Sequence, residues 1–241
     1  MALYEYLPGY QTAHFLVACM PKSGSTFLTE ALASLPGFKR AVLVPQHGRR
    51  EQELERRQLQ KYWFAKYAAQ HHVRYSEATA WAIRRFNLKP IVLTRNIFDA
   101  CVSLRDHMRN ESSVGPMAFA PSDISAASDS ELELFIAHHV APWYFNFFLS
   151  WESVDNKISI GYEDLRLNPE QTIQGVLEFF NFPASSNDID RAVEKALKGK
   201  IRKNIGVSGR GMNLNPHARE HILRLSSHYP NQDFSALGIS N

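Results

Sequence analysis

The chain has 241 residues, of which 44% are hydrophobic and 21% charged. That suits a single domain, 1–241, with a sizeable core, and excludes disorder as the main state. With 27 Lys and Arg against 24 Asp and Glu, the net charge is +3, too mild for a dedicated nucleic-acid-binding domain but suited to an anionic small ligand if concentrated in one place.

Residues 1–15 lack a basic stretch leading into an apolar one, so no signal peptide is expected. Residues 14–20, HFLVACM, form an apolar run of strand length, ended by Pro21 and Gly24. TFLTEALASL, 26–35, places Phe27, Leu28, Ala31, Leu32 and Leu35 on one helical face, closed by Pro36 and Gly37. AVLVP, 41–45, reads as a second strand, and a charged helix is expected from about 49 to 70. PIVLTR, 90–95, reads as a buried strand, followed by a helix over IFDACVSLRDHM, 97–108. Residues 111–129, rich in Ser, Pro and Ala, read as a long loop of the kind that often serves as a lid or binding loop. Residues 132–151 are the most apolar long segment, but Glu133, His138, His139, Pro142 and Asn146 make it a buried aromatic helix rather than a membrane span. KISIGYEDL, 157–165, alternates as a strand does, and Asn168-Pro169 starts a further helix. The βαβα order implies an α/β fold, a mostly parallel central sheet flanked by helices. Cys19 and Cys101, the only cysteines, sit in apolar runs, which excludes a disulfide scaffold and a cysteine zinc cluster. A soluble protein of a reducing, cytoplasmic compartment is the default expectation.

Three places concentrate anion-binding groups. PKSGSTFL, 21–28, lies between a strand and a helix, so its amides converge at a helix N-terminus and make an anion cradle. Gly24 permits close backbone approach, Ser25 and Thr26 add hydroxyls, and Lys22 adds a charge. The plain alternative is a tight strand-to-helix turn with a serine cap. A Walker A loop does not fit: its Lys follows the second Gly, whereas Lys22 precedes Gly24 and position 19 is Cys. Arg95, closing a strand, sits where open α/β sheets bind ligands and can grip a phosphate with two hydrogen bonds. Asp99, four residues on, offers it a surface ion pair instead. Ser103 follows two helical turns along. The third place, 198–213, carries Lys198, Lys200, Arg202, Lys203 and Arg210 with no acid among them, and reads as an anion site or a solvated loop.

PKSGSTFL resembles the 5′-phosphosulfate loop of the sulfotransferases that use 3′-phosphoadenosine 5′-phosphosulfate (PAPS). PIVLTRNIFDACVSLRDH resembles their 3′-phosphate segment, in which a strand ends in Arg and a Ser follows eight residues on, here Arg95 and Ser103. ISIGYEDLRLNPEQTI resembles the later strand with its Tyr-Glu-Asp and Pro-started helix. IRKNIGVSGRG resembles the basic, glycine-containing loop that closes over the nucleotide. The four stand in family order over 21–211, and the Ser-Gly-Ser-Thr form looks closer to bacterial and carbohydrate-type members than to the animal phenol enzymes. The resemblance implies PAPS as donor, adenosine 3′,5′-bisphosphate (PAP) as product, and no metal. It implies a nucleotide set of Lys22, Ser23, Gly24, Ser25, Thr26 and Phe27, then Arg95 and Ser103, then Tyr162 toward the adenine, then Arg202, Lys203, Gly209 and Arg210. Phe27 stands near the family's adenine-stacking Trp and reads otherwise as core. Tyr162 reads otherwise as a half-buried strand tyrosine. At the last loop this chain has Val-Ser-Gly-Arg-Gly where many animal members have Gly-Asp-Trp-Lys.

Sulfuryl transfer needs a base for the acceptor's proton and positive charge for the leaving phosphate. Lys22 is the choice for the leaving group. The family often takes its base from a His after a strand, between the first loop and the Arg segment. QHHVRYSEAT offers His71 and His72 there, and His72-Val73 matches better. Imidazole accepts a proton at neutral pH. Some carbohydrate-type members use Glu, and HGRREQELERR, 47–57, offers Glu51 as its best carboxylate and His47 as a further candidate, though the segment reads first as a charged, solvated helix face. The expectation is therefore transfer of a sulfuryl group to a hydroxyl, or an amine, of a small molecule or glycan, with no nucleic-acid partner. A P-loop-like phosphotransferase and a non-catalytic nucleotide-binding module are the alternatives. The aromatic residues of 135–151 line an acceptor pocket or fill the core.

Overall fold

A computed structural model describes residues 13–45, 52–112, 117–198 and 208–240. The chain runs through β1 (His14–Cys19), α1 (Ser25–Ala33), β2 (Phe38–Arg40), α2 (Arg56–Lys61), β3 (Lys66–His71), α3 (Glu77–Phe86), β4 (Leu88–Thr94) and α4 (Ile97–Asn110). It continues through α5 (Asp129–His139), α6 (Ala141–Glu152), β5 (Ile158–Gly161), α7 (Tyr162–Leu167), α8 (Pro169–Phe179), α9 (Ser186–Lys198) and α10 (Pro216–Ser227). The five strands pair in parallel in the order β2-β3-β1-β4-β5. From β1 the chain builds one side of the sheet first, then the other. The connections therefore diverge above the C-terminal end of β1, which is where open α/β sheets bind ligands.

The alternation of β1 decides the two cores. Leu16 and Ala18 point into one, which α3, α4, α5, α6 and α10 cover. Phe15, Val17 and Cys19 point into the other, under α1, α8 and α9. All six residues of β1 are buried, as a strand covered on both faces requires. Each large apolar side chain buried this way contributes about 1.5–3 kcal/mol. Cys19 and Cys101 are free and buried. No helix among the described residues is long and apolar enough to cross a membrane.

Four sequence expectations need correction. Residues 41–45 are buried at Ala41, Leu43 and Val44 but form no strand. Ala41 N–H still reaches Ala68 O at 3.0 Å, but Leu43 N–H turns to the His71 side chain at 2.9 Å, so the ladder ends. Of the charged helix expected over 49–70, the described residues 52–70 hold only α2, because Lys66–His71 is β3, held between β1 and β2. The strand expected over 157–165 stops at Gly161, and Tyr162 opens α7. The aromatic segment 132–151 is two helices, α5 and α6, parted at Val140. Pro142 in the first turn of α6 has no N–H to continue the preceding helix. Within 111–129, the described part of the loop holds only a single 3-10 turn, Ile124–Ala126, tied to α4 by Arg109 through the Ser125 and Ala127 carbonyls.

Candidate active site

The loop between β1 and α1 is pinned from three directions. Ser23 Oγ donates to Met20 O at 2.6 Å inside the loop. Arg95 Nη1, from the end of β4, donates to Lys22 O at 2.9 Å. Tyr144 of α6 donates its hydroxyl to Pro21 O at 3.4 Å. Two consecutive-but-one residues take left-handed backbone: Lys22 at φ 65° and Gly24 at φ 83°. For Lys22 that conformation costs about 1–3 kcal/mol, held in place by the contacts around it. Gly24 has a second reason to be glycine, since a Cβ there would lie 2.9 Å from the Tyr162 ring. α1 then begins with no acidic residue in its first turn and no side-chain cap, leaving its positive end to an anion.

Arg95 is almost wholly buried, its side chain 3% exposed. Besides Lys22 O, it lies 3.9 Å from Asp99 Oδ2 and stacks over the Tyr162 ring at 4.0 Å. Its Nε is buried with no hydrogen-bond partner among the described residues. The Asp99 pairing is therefore real, but interior rather than on the surface, and it leaves part of the guanidinium's donor capacity unspent.

The two histidines at the end of β3, His71 its last residue and His72 just after it, part company. His71 is 1% exposed and accepts Leu43 N–H on Nε2, a structural role. His72 points the other way, as successive residues leaving a strand do. Its Nδ1 lies 2.9 Å from Cys19 O. Cys19 Sγ lies 3.5 Å from the same nitrogen; a carbonyl only accepts, so the bond to Cys19 O is made with the proton on Nδ1. The surrounding backbone is held as well: His72 N–H donates to Gln52 Oε1 at 2.8 Å, and Trp151 Nε1 of α6 donates to Val73 O at 3.0 Å. The aromatic residues of α6 thus pack the core and brace this corner.

One cavity of about 270 Å³ gathers these groups. Lys22, Gly24, Ser25, Thr26 and Phe27 line it from the loop and α1, His72 from just past β3, Arg95 from just past β4, Ser103 from α4, and Tyr162 from α7. Phe27 is 7% exposed and belongs equally to the core under α1. Ser23, fully buried, spends its hydroxyl within the loop. Gly209 and Arg210 lie outside the cavity lining: Gly209 N–H donates to Asp99, and Arg210 pairs with Asp106 of α4. Arg202, Lys203, Glu51 and His47 fall outside the described residues.

Sequence reading passed over Gln70, His107 and Arg166, which also line the cavity. Two of them were within reach of a helical rule: His107 is four residues past Ser103 on α4, and Arg166 four past Tyr162 on α7, so each shares its partner's face. His107 Nδ1 lies 2.9 Å from Glu111 Oε2. Burial, then the Lys22 charge, holds His107 below the ordinary histidine range, with Glu111 pulling it back up. Burial likewise lowers Lys22 below the ordinary lysine range; Arg95 adds to this, while Glu111 and Asp106 oppose it.

The fold has relatives among solved structures. Solved structures that superpose include mouse sulfotransferase SULT7A1 complexed with PAP, 18% identical, with a TM-score of 0.67 over 93% of this chain and 86% of that one. Retinol dehydratase, in complex with androsterone and inactive cofactor PAP, is 12% identical, with a TM-score of 0.58 over 93% and 83%. Sulfotransferase STF1 from Mycobacterium tuberculosis H37Rv is 10% identical, with a TM-score of 0.54 over 88% and 76%. At such identities these show a shared fold. No curated protein matches the chain by sequence. The family model of the sulfotransferase domain does match it, over residues 12–207, a stretch that takes in the β1 loop, His72, Arg95, Ser103 and Tyr162. On that match the chain belongs to the sulfotransferase family and is an enzyme of sulfuryl transfer.

Proposed function

We propose that the cavity binds PAPS and that His72 takes the proton of an acceptor hydroxyl, or amine, on a small molecule or glycan. The observation that carries this reading is the His72–Cys19 hydrogen bond, which holds the imidazole of a residue that lines the same cavity as Lys22 and Arg95. The residues fit such a donor. Arg95 is a buried cation whose Nε has no partner among the described residues, and the Lys22–Gly24 turn opens a helix whose first turn carries no acid. Two of the structural relatives are described with PAP.

When bound, PAPS supplies the sulfuryl group and leaves as PAP. Lys22 and the α1 N-terminus hold the negative charge of the departing phosphate, with Ser25 and Thr26 adding hydroxyls. Arg95 and Ser103 hold the 3′-phosphate, and Tyr162 fixes Arg95 by stacking on it. His72 receives the acceptor proton at Nε2 while Nδ1–H stays on Cys19 O, so the ring does not rotate during transfer. Phe27, Leu104, Leu165 and Leu197 give the same cavity its apolar surface.

Calorimetry with two nucleotides tests the reading. PAP should bind much more tightly than ADP, because only PAP carries a 3′-phosphate, and Arg95→Ala should remove about 1.5–3 kcal/mol of that affinity. Equal affinities for the two would remove the nucleotide assignment. Turnover should also survive EDTA, and strict magnesium dependence would favour a phosphotransferase instead.

A further inference from the structure

Asp99, in the first turn of α4, has both carboxylate oxygens committed to a distant stretch of chain. Its Oδ2 accepts Gly209 N–H at 2.8 Å and its Oδ1 accepts Gly211 N–H at 2.6 Å. Its side chain is 4% exposed. A buried carboxylate is tolerated only when its charge and lone pairs are met. Here two backbone donors and the Arg95 guanidinium meet them.

The same carboxylate lies 3.9 Å from Arg95 Nη2, and Arg95 in turn holds Lys22 O and stacks on Tyr162. One uninterrupted chain of polar contacts therefore runs from the 209–211 turn through Asp99 and Arg95 to the phosphate loop. The turn fits closely against the start of α4: a Cβ on Gly211 would lie 2.5 Å from Phe98 Cβ and 2.8 Å from Asp99 N. Arg219 secures the turn independently, donating to Gly211 O at 2.6 Å and stacking on Phe98 at 4.1 Å.

We propose that Asp99 is a positioning residue of the donor site: it locks the 209–211 turn to α4 and holds Arg95 in the pose that receives the 3′-phosphate. Asp99 itself touches no substrate. A carboxylate next to a phosphate site would repel the ligand if its charge were free, and the two amides and Arg95 absorb that charge. The inference rests on the reading of the cavity as a PAPS site.

The test compares PAP with AMP, which lacks the 3′-phosphate, on the full chain. Asp99→Asn keeps the shape but removes the charge and one of the two acceptors. It should weaken PAP binding about tenfold, with AMP affinity changed less than about twofold. Amide exchange at Gly209 and Gly211 should speed up in the same variant. Gly211→Ala approaches from the other side, pushing the turn off Phe98 while leaving the carboxylate intact, and should bring the same selective loss. A general weakening of the fold would lower both affinities together. Loss of PAP and AMP binding in parallel, unchanged PAP affinity in Asp99→Asn, or unchanged exchange at the two glycines would each overturn the role. If the unaltered protein binds PAP no better than AMP, the PAPS reading itself falls, an outcome distinct from a failure confined to the variants.

Discussion

Of the four glycines with left-handed backbone among the described residues, two have nearly identical φ and ψ and each precedes a helical turn. Gly24, at φ 83° and ψ 8°, precedes α1, and Gly209, at φ 86° and ψ 2°, precedes the short 3-10 turn Arg210–Asn213. Their surroundings differ. Gly24 is pressed by the Tyr162 ring, whereas a Cβ on Gly209 would meet nothing within 4 Å. The first turn is secured by contacts to its own backbone carbonyls, from Arg95, Tyr144 and Ser23. The second is secured by buried or part-buried carboxylates reaching over from α4: Asp99 on its amides, Asp106 on Arg210. The same local geometry is thus held once by donors on its carbonyls, the Arg95 guanidinium among them, and once by carboxylates on its amides and on Arg210. At Gly24 the first turn should fail by steric change, whereas at Gly209 the second has room for a Cβ, and its part-exposed Arg210–Asp106 pair should weaken as salt rises.

The largest effect expected belongs to the packed side. His72→Ala should lower the rate by about 10²–10⁴, the contribution of a positioned acid–base group, and leave PAP affinity nearly unchanged. The rate of the unaltered enzyme should rise with pH as the base sheds its proton. A fully active His72→Ala would shift the role to another group, with Glu51→Gln the variant to measure next.

Next come the two glycines themselves. Gly24→Ala meets both a forbidden φ and the Tyr162 ring, and should cost about 2–4 kcal/mol in denaturant unfolding. Gly209→Ala meets the φ penalty alone, about 1–2 kcal/mol. Equal losses at the two positions would show that Tyr162 yields freely and that the comparison between the turns is wrong.

The smallest effect is one of pH. Burial and the Lys22 charge depress His107 in the folded state below its unfolded value of 6.5. Between the depressed value and 6.5 the unfolded chain binds more protons, so stability rises with pH through that window and falls as the solution is acidified. His14 and His221 are lowered too, both chiefly by burial, and add in the same direction. His107→Ala should therefore flatten the acid side of the stability profile without abolishing its slope. A profile unchanged by that substitution would contradict the placement of His107 beside Lys22.

The sequence by itself determined the elements whose signal is local. β1, α1, β4 and α4 follow from apolar runs and helical spacing, and the Pro21–Thr26 turn from its glycine and its position between strand and helix. Arg95, Ser103 and Lys22 stand out as candidates for the same reason, since each sits at a strand end or on a helix that the pattern already marks, whereas His72 is a candidate only through the family resemblance. Tertiary structure decided the rest. Lys66–His71 contains no β-branched residue, and Ala68, Ala69 and Gln70 favour a helix on propensity; it is a strand because β1 and β2 hydrogen-bond it from both sides. Residues 41–45 have a strand's composition but lose the ladder when Leu43 N–H is taken by His71, a partner 28 positions away. Asp99 reads in sequence as the partner of Arg95 four residues before it. Its stronger bonds go to Gly209 and Gly211, 110 and 112 positions on. Periodicity reports which face of an element is buried. It carries no record of which remote amide a buried carboxylate will find, because that pairing is set by desolvation after the chain has closed.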